Sequence, residues 1–334
     1  MRSYHVDSGA GIAGLSIKEH PAPVPRMGEV LIAVRAVSLS YRELMVLRGD
    51  YVLPVKPDVV PISDGAGEIV AVGPGVHTAR VGDRVMGTLF PSWQHGPFGV
   101  QHLPQLGGSL DGMLTELAVL DQDALVPIPD HLSYQEAATL PCAALTAWNA
   151  LTGDGDGLRP GQTLVTQGSG GVSLFALQFA KALGARVIAT TSGPAKAARL
   201  TELGADEVVD YRATPDWPGK IRELTGGLGA DRVVDVAGLL EDSLRAVAIA
   251  GHVACVGFVS DAAPPLDPRV LFASGATVRA VAVGSRAQFL AMNRAIDVNR
   301  LRPVIDRVFP FDEAREAYGY YASGKAFGKV VIGL

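Results

Sequence analysis

The feature that most constrains this chain is the turn Gln167-Gly168-Ser169-Gly170-Gly171. Residues 163–166 before it read as a short buried strand. After it Val172, Phe175, Ala176, Phe179, Ala180 and Leu183 recur at helical spacing. Strand, side-chain-poor turn and helix, in that order, are the context in which a glycine pattern has chemical meaning. Gly168 permits the tight turn and Gly170 lets a pyrophosphate approach bare backbone. The N–H groups opening the helix at Val172 then meet its negative charge. Gly168, Ser169, Gly170, Gly171 and Val172 are therefore candidate dinucleotide-binding residues. Ser173 stands where the third glycine of G-x-G-x-x-G is expected, and it is small enough to keep helix and strand close.

At 334 residues the chain is long enough for two domains with substantial cores. Hydrophobic residues at 48% and charged ones at 19% predict a compact, ordered protein. A formal net charge of -5 gives no reason to expect nucleic acid or an anionic membrane as partner. Cys142 and Cys255 lie far apart in apolar surroundings, cannot build a disulfide framework, and are read as inert buried thiols. The first residues lack the apolar core of a signal peptide, and no apolar run reaches membrane-spanning length. A reducing cytoplasm is the expected location.

Residues 1–125 have β character. Val30, Ile32, Val34 and Ala36 alternate as in a half-buried strand, and short strands broken by Gly and Pro follow. Residues 88–112 form a long Gly/Pro-rich stretch without periodicity, a candidate for shaping a substrate entrance. From about Pro127 the texture changes. A helix is expected to start at Ser133, with Glu136 completing a capping box, and to run on to Leu151. Strands and helices then alternate, with strands at 252–260 and 277–284, the rhythm of a doubly wound parallel sheet. An amphipathic helix at 286–301 and a strand at 327–334 close the chain and pack back on the first part. The expected domains are 1–125 with 285–334, and 126–284; the fold class is α/β.

The stretches GAGEIVAVGPGV, VGDRV, LPCAALTAWNAL, QGSGGV and ASGKAFGKVVIGL occur in an order that resembles the medium-chain dehydrogenase/reductase superfamily. More narrowly, they resemble its zinc-independent, quinone-oxidoreductase-like branch. The likeness runs over essentially the whole chain. It implies a GroES-like β-barrel catalytic domain, an inserted Rossmann domain, an active site in the cleft, and a homodimer built on the Rossmann edge strand at 278–283.

Zinc members of that superfamily carry Cys near the position of Ser40, and Gly-His-Glu where this chain has Ile62-Ser63-Asp64; no cysteine cluster is present. No metal is expected, because catalytic zinc needs three suitable protein ligands. A carboxylate about twenty residues past the glycine turn would repel a 2′-phosphate, but the expected second strand ends Thr190-Thr191-Ser192-Gly193. By the resemblance Ser192, Lys196 and Tyr211 surround a 2′-phosphate, which favours NADP(H). The resemblance also assigns Thr146, Gly257, Phe258, Val259, Val283, Phe327 and Lys329 to the cofactor. Tyr41, Arg42 and Tyr51 fall in the segment that lines the cleft in the family and are candidates for steadying an enolate. Asp64 is expected as a structural partner of Arg42. Without a metal, the substrate must arrive activated, as quinones and enones do. The expected activity is NADPH-dependent reduction of such small molecules. The alternatives are an alcohol dehydrogenase or ketone reductase and, from another class, a non-catalytic nucleotide-binding protein.

Overall fold

The computed structural model describes residues 1–153, 155, 157–259 and 266–334. They divide into two compact units, Met1–Leu145 with Val283–Leu334, and Thr146–Ala282.

The first unit is built on a seven-stranded, mainly antiparallel sheet. Its centre is Glu29–Ser38, whose buried residues alternate from Val30 to Ala36 and which pairs antiparallel with Asp64–Val72, Leu117–Asp121 and Lys329–Gly333. The last of these pairings carries the C-terminal segment back to residues near 40: Leu39 N–H donates to the Val330 carbonyl at 2.9 Å. The core gathers Val30, Ile32, Val34, Leu44, Leu47, Ile62 and Ile69 with Tyr318, Val330 and Ile332.

The expected domain boundary at 125/126 falls twenty residues early. The helix Tyr134–Ala137 packs on Glu29–Ser38, Asp64–Val72 and Lys329–Gly333, so residues 126–145 complete the first unit's core. Ser133 caps this helix and Glu136 closes the capping box. The helix does not run unbroken to Leu151. Pro141, lacking an N–H, forces a wide turn over Leu140–Ala144 before Leu145–Thr152 resumes.

The second unit is a six-stranded parallel sheet in the order Glu207–Asp210, Arg186–Thr191, Thr163–Gln167, Ala230–Asp235, Val247–Cys255, Thr277–Ala280. Order reverses beside Thr163–Gln167, the switch point at which such sheets bind ligands. Strand Thr163–Gln167 is buried at all five positions. The helix Gly171–Ala182 buries Leu174, Phe175, Leu177 and Phe179.

Two strand expectations change. Val247–Cys255 begins earlier than foreseen and ends at Cys255, while Ser260, the last residue of the expected strand, lies outside the described residues. The strand expected at 277–284 stops at Ala280, and extended backbone could not have reached 284, since Val283 has φ +52, a conformation a β-branched residue adopts only under constraint. The C-terminal helix is Arg286–Asn299, capped by Ser285 with Gln288. Among the described residues no helix is long and apolar enough to cross a membrane.

Candidate functional site

In the first unit, the helix Tyr41–Arg48 and the strand Asp64–Val72 bring a set of charged side chains together out of water. Arg42, Glu43, Asp64 and Lys329 are all buried, and their formal charges cancel. Arg42 Nη1 lies 2.7 Å from Glu43 Oε1, and its Nε donates to Tyr51 Oη at 3.1 Å. The guanidinium also stacks over the Tyr51 ring, 4.8 Å from its centre. Burial alone would lower the Arg42 pKa, but Glu43 and Tyr51 more than offset it and the group stays charged. Glu43 accepts the backbone N–H groups of Ile62 and Ser63, both at 3.2 Å. It thereby holds Ile62 at φ +68, a second strained β-branched residue, directly before Ser63 and Asp64.

Lys329 opens the last strand and reaches inward. Its Nζ donates to the Leu39 carbonyl at 2.5 Å and to Ser40 Oγ at 2.9 Å, and lies 3.8 Å from Asp64 Oδ2. Asp64 accepts the Ser63 hydroxyl at 2.8 Å and, at a longer 3.4 Å, that of Ser40. Burial pushes the Asp64 carboxyl up to about 6, against the opposing pull of Lys329 and Ser63. Burial pushes the Cys142 thiol up to about 12 and keeps it protonated, against a smaller opposing pull from the Ser40 side chain. On its other side Cys142 packs against an aromatic group formed by the long 88–112 loop. There Trp93 and Phe98 lie 4.8 Å apart and Phe90 and Phe98 4.9 Å apart, with Leu53 and Val283 beside them. The loop is tied to the charged group as well, since Arg42 Nη2 reaches the Gly107 carbonyl.

Of the four expected catalytic residues, the structure joins Arg42 with Tyr51 and places Asp64 in the same buried group. Tyr41 turns elsewhere: its hydroxyl accepts from Arg48 at 3.2 Å. Asp64 is not the partner expected for Arg42. Glu43 takes that role, and Asp64 faces Lys329 instead. Two expected cofactor contacts also change character. Phe327 is a buried side chain with almost no surface to offer, and Lys329 is committed to Leu39 and Ser40. Val283 belongs to the first unit and packs with Phe90 and Trp93. The sequence reading missed Glu43 and the buried role of Lys329. An acid beside Arg42 at the start of a helix was the available signal for the first.

In the second unit the strand ends line up. Gln167 pairs with Thr190 and Thr191 with Asp210, so Gly168, Ser192 and Tyr211 all follow the carboxyl ends of adjacent strands. Lys196 sits in the first turn of Pro194–Glu202, just beyond Ser192. Gly257, Phe258 and Val259 follow the end of Val247–Cys255, with Phe258 and Val259 exposed. Thr146 is buried in the helix Leu145–Thr152. Gly168 has φ +74, and a Cβ added there or at Gly170 would meet no atom within 4 Å, which leaves room for a ligand against the turn. Ser173 is more than a small substitute, because its hydroxyl donates to the Gln167 carbonyl at 2.6 Å and ties helix to strand. These residues fit a dinucleotide: open glycine backbone at a helix N-terminus for the diphosphate, hydroxyls and a lysine for the adenosine end.

The first unit's residues do not fit catalytic zinc. Ser40 and Ser63 offer only hydroxyls, and the Lys329 ammonium already lies against Ser40 and Asp64. Among the described residues no group of three or more His, Cys, Asp or Glu could hold a metal.

Comparison with known proteins matches residues 26–130 to the alcohol dehydrogenase GroES-like domain and residues 171–297 to the zinc-binding dehydrogenase family. A zinc-type alcohol dehydrogenase-like protein of Schizosaccharomyces pombe is 39% identical over 98% of this chain and 97% of its own. A chloroplastic quinone oxidoreductase of Triphysaria versicolor is 33% identical over 99% and 98%. The crystal structure of a putative alcohol dehydrogenase from Sinorhizobium meliloti superposes with a TM-score of 0.92 at 37% identity, covering 100% of this chain and 99% of that one. With the two units, the parallel sheet with its glycine turn and the GroES-like sheet agreeing, this chain belongs to the medium-chain dehydrogenase/reductase superfamily and is an oxidoreductase of its α/β, two-domain fold.

Proposed function

We propose that the chain is an NADPH-dependent oxidoreductase that reduces an activated carbon–carbon double bond or a quinone without zinc. The observation that carries this reading is the buried group of the first unit, in which the Lys329 ammonium meets the Ser40 hydroxyl where zinc members carry a ligand. Hydrogen-bond donors suffice for an acceptor that conjugation has already made electron-poor. The reduced nicotinamide dinucleotide supplies the hydride when bound. Arg42 occupies a lone pair of Tyr51 Oη, so the phenolic proton is left to point at an oxygen gaining charge. Asp64 supports the same buried group through Ser40 and Lys329.

Ser192, Lys196 and Tyr211 favour NADPH, since a 2′-phosphate is held by a cation with hydroxyl donors. The absence of an acid at the end of Arg186–Thr191 removes the repulsion an NAD-type site would impose. A second reading, alcohol dehydrogenase or ketone reductase, is favoured by the name of the S. pombe relative. We place the protein in the cytoplasm and assign it a homodimeric assembly through the edge of the parallel sheet.

Product analysis separates the two chemistries. With NADPH and 2-cyclohexen-1-one, NMR should find the saturated ketone; the allylic alcohol would favour the second reading. Fluorescence titration should give a Kd for NADPH at least about tenfold below that for NADH, a difference of about 1.4 kcal/mol. Lys196→Ala should close most of that gap; equal losses for both cofactors would remove the phosphate assignment.

A further inference from the structure

We propose that Ser40 donates the proton that completes the reduction, and that Lys329 behind it keeps the Ser40 hydroxyl supplied. The assignment rests on the reductase reading above and adds to it the source of the proton.

Three observations lead there. Ser40 keeps more surface than the two groups it bonds to, 7% against 2% for Lys329 and 0% for Asp64. Its oxygen accepts from Lys329 Nζ at 2.9 Å, whereas its own donation to Asp64 is long at 3.4 Å. A hydroxyl whose lone pair is held firmly and whose proton is held weakly is arranged to give that proton up. Cys142, whose thiol responds to the Ser40 side chain, packs against the aromatic group of Phe90, Trp93 and Phe98, so an apolar wall stands on the Ser40 side of the polar group.

The step balances. As hydride reaches the β-carbon, forming a C–H bond, the electron pair of the C=C moves toward the carbonyl as an enolate. The Ser40 O–H bond breaks as the α-carbon gains its hydrogen. One proton of the Lys329 ammonium passes to the serine oxygen, and solvent returns a proton to the amine. One hydride and one proton are consumed per double bond, the nicotinamide is oxidised and the enone reduced. Asp64 and Glu43 supply the negative charge, and Arg42 the second positive charge, against which this transfer is made.

Two measurements test it on the full-length protein. The first is turnover of 2-cyclohexen-1-one with NADPH, with its solvent isotope effect and pH profile. The second is deuterium exchange at the α-carbon of cyclohexanone in D2O, followed by NMR, which reports proton transfer without any hydride. Ser40→Ala should lower kcat and exchange together by about 100-fold or more, with NADPH affinity unchanged. Lys329→Met should cause the same loss, and the double variant no greater one. Because Lys329→Met could fail to fold, Lys329→Arg supplies a second check: it keeps the charge but holds its protons, so turnover stays low and the pH profile shifts. Full kcat and exchange in Ser40→Ala, or full rate in Lys329→Arg, overturns the proposal. Exchange without reduction in the parent protein sinks the reductase reading and leaves the proton donor standing. Neither exchange nor reduction sinks both.

Discussion

Asp64 shows how a single residue sets a pH dependence. It is fully buried, and its carboxyl titrates at about 6 where 3.8 is ordinary, with burial as the dominant cause. Between those two values the folded chain retains a proton that the unfolded chain has released. Stability from this group therefore falls as pH rises from about 4 to about 6 and is level above that, a total of roughly 3 kcal/mol. Asp64→Asn cannot titrate, so its stability relative to the parent should improve steadily across that window, on top of a pH-independent offset from replacing the acid by an amide. Urea denaturation at pH 4.5 and pH 7 measures the difference. Parallel behaviour of the two proteins would mean that the Lys329 ammonium and the Ser63 hydroxyl hold the native carboxyl near its ordinary value.

At the scale of elements, the turn from Thr163–Gln167 into Gly171–Ala182 makes a sharper test than any single contact. Gly170 has φ -78, open to any residue, and a Cβ added there meets nothing within 4 Å. Gly170→Val should leave thermal stability within about 0.5 kcal/mol, as a surface change does. It should weaken NADPH binding at least about tenfold, or 1.4 kcal/mol, because the branched side chain fills the space a diphosphate needs. Lost stability would show that the glycine serves packing; retained affinity would show that the phosphates lie elsewhere. This turn was legible in the sequence because strand, turn and helix are contiguous and their periodicities differ. The capped helix Arg286–Asn299 was legible for the same local reason. The pairing of Ser40 with Lys329 was not, since 289 residues separate them. Only the antiparallel register of Lys329–Gly333 against Glu29–Ser38 brings them together, and no local pattern encodes that register. Arg42 misled for a related reason: Asp64 looked like its partner by charge, but the helix places Glu43 beside it first. Long-range strand pairing decides such sites, and short-range spacing does not report it.

At the scale of the whole molecule, the parallel sheet ends on Thr277–Ala280, an edge of four residues. Unpaired edges are liabilities that proteins cover or use. Beside this one the helix Pro268–Ser274 presents Phe272 at 90% exposure, and Ile249, next to Gly275, is exposed at 78%. Large apolar side chains left bare beside an open strand edge are what a two-fold interface would bury. Burying one phenylalanine is worth about 1.5–3 kcal/mol, and a two-fold axis counts it twice. Phe272→Asp should therefore shift the dimer dissociation constant upward by at least about 100-fold. Since the side chain is solvent-exposed in the single chain, the thermal stability of the monomer should be unaffected. Sedimentation velocity over a concentration series reads both species. A parent protein that sediments as a monomer at micromolar concentration would remove the dimer altogether. A Phe272→Asp protein that stays dimeric would instead move the interface away from this edge.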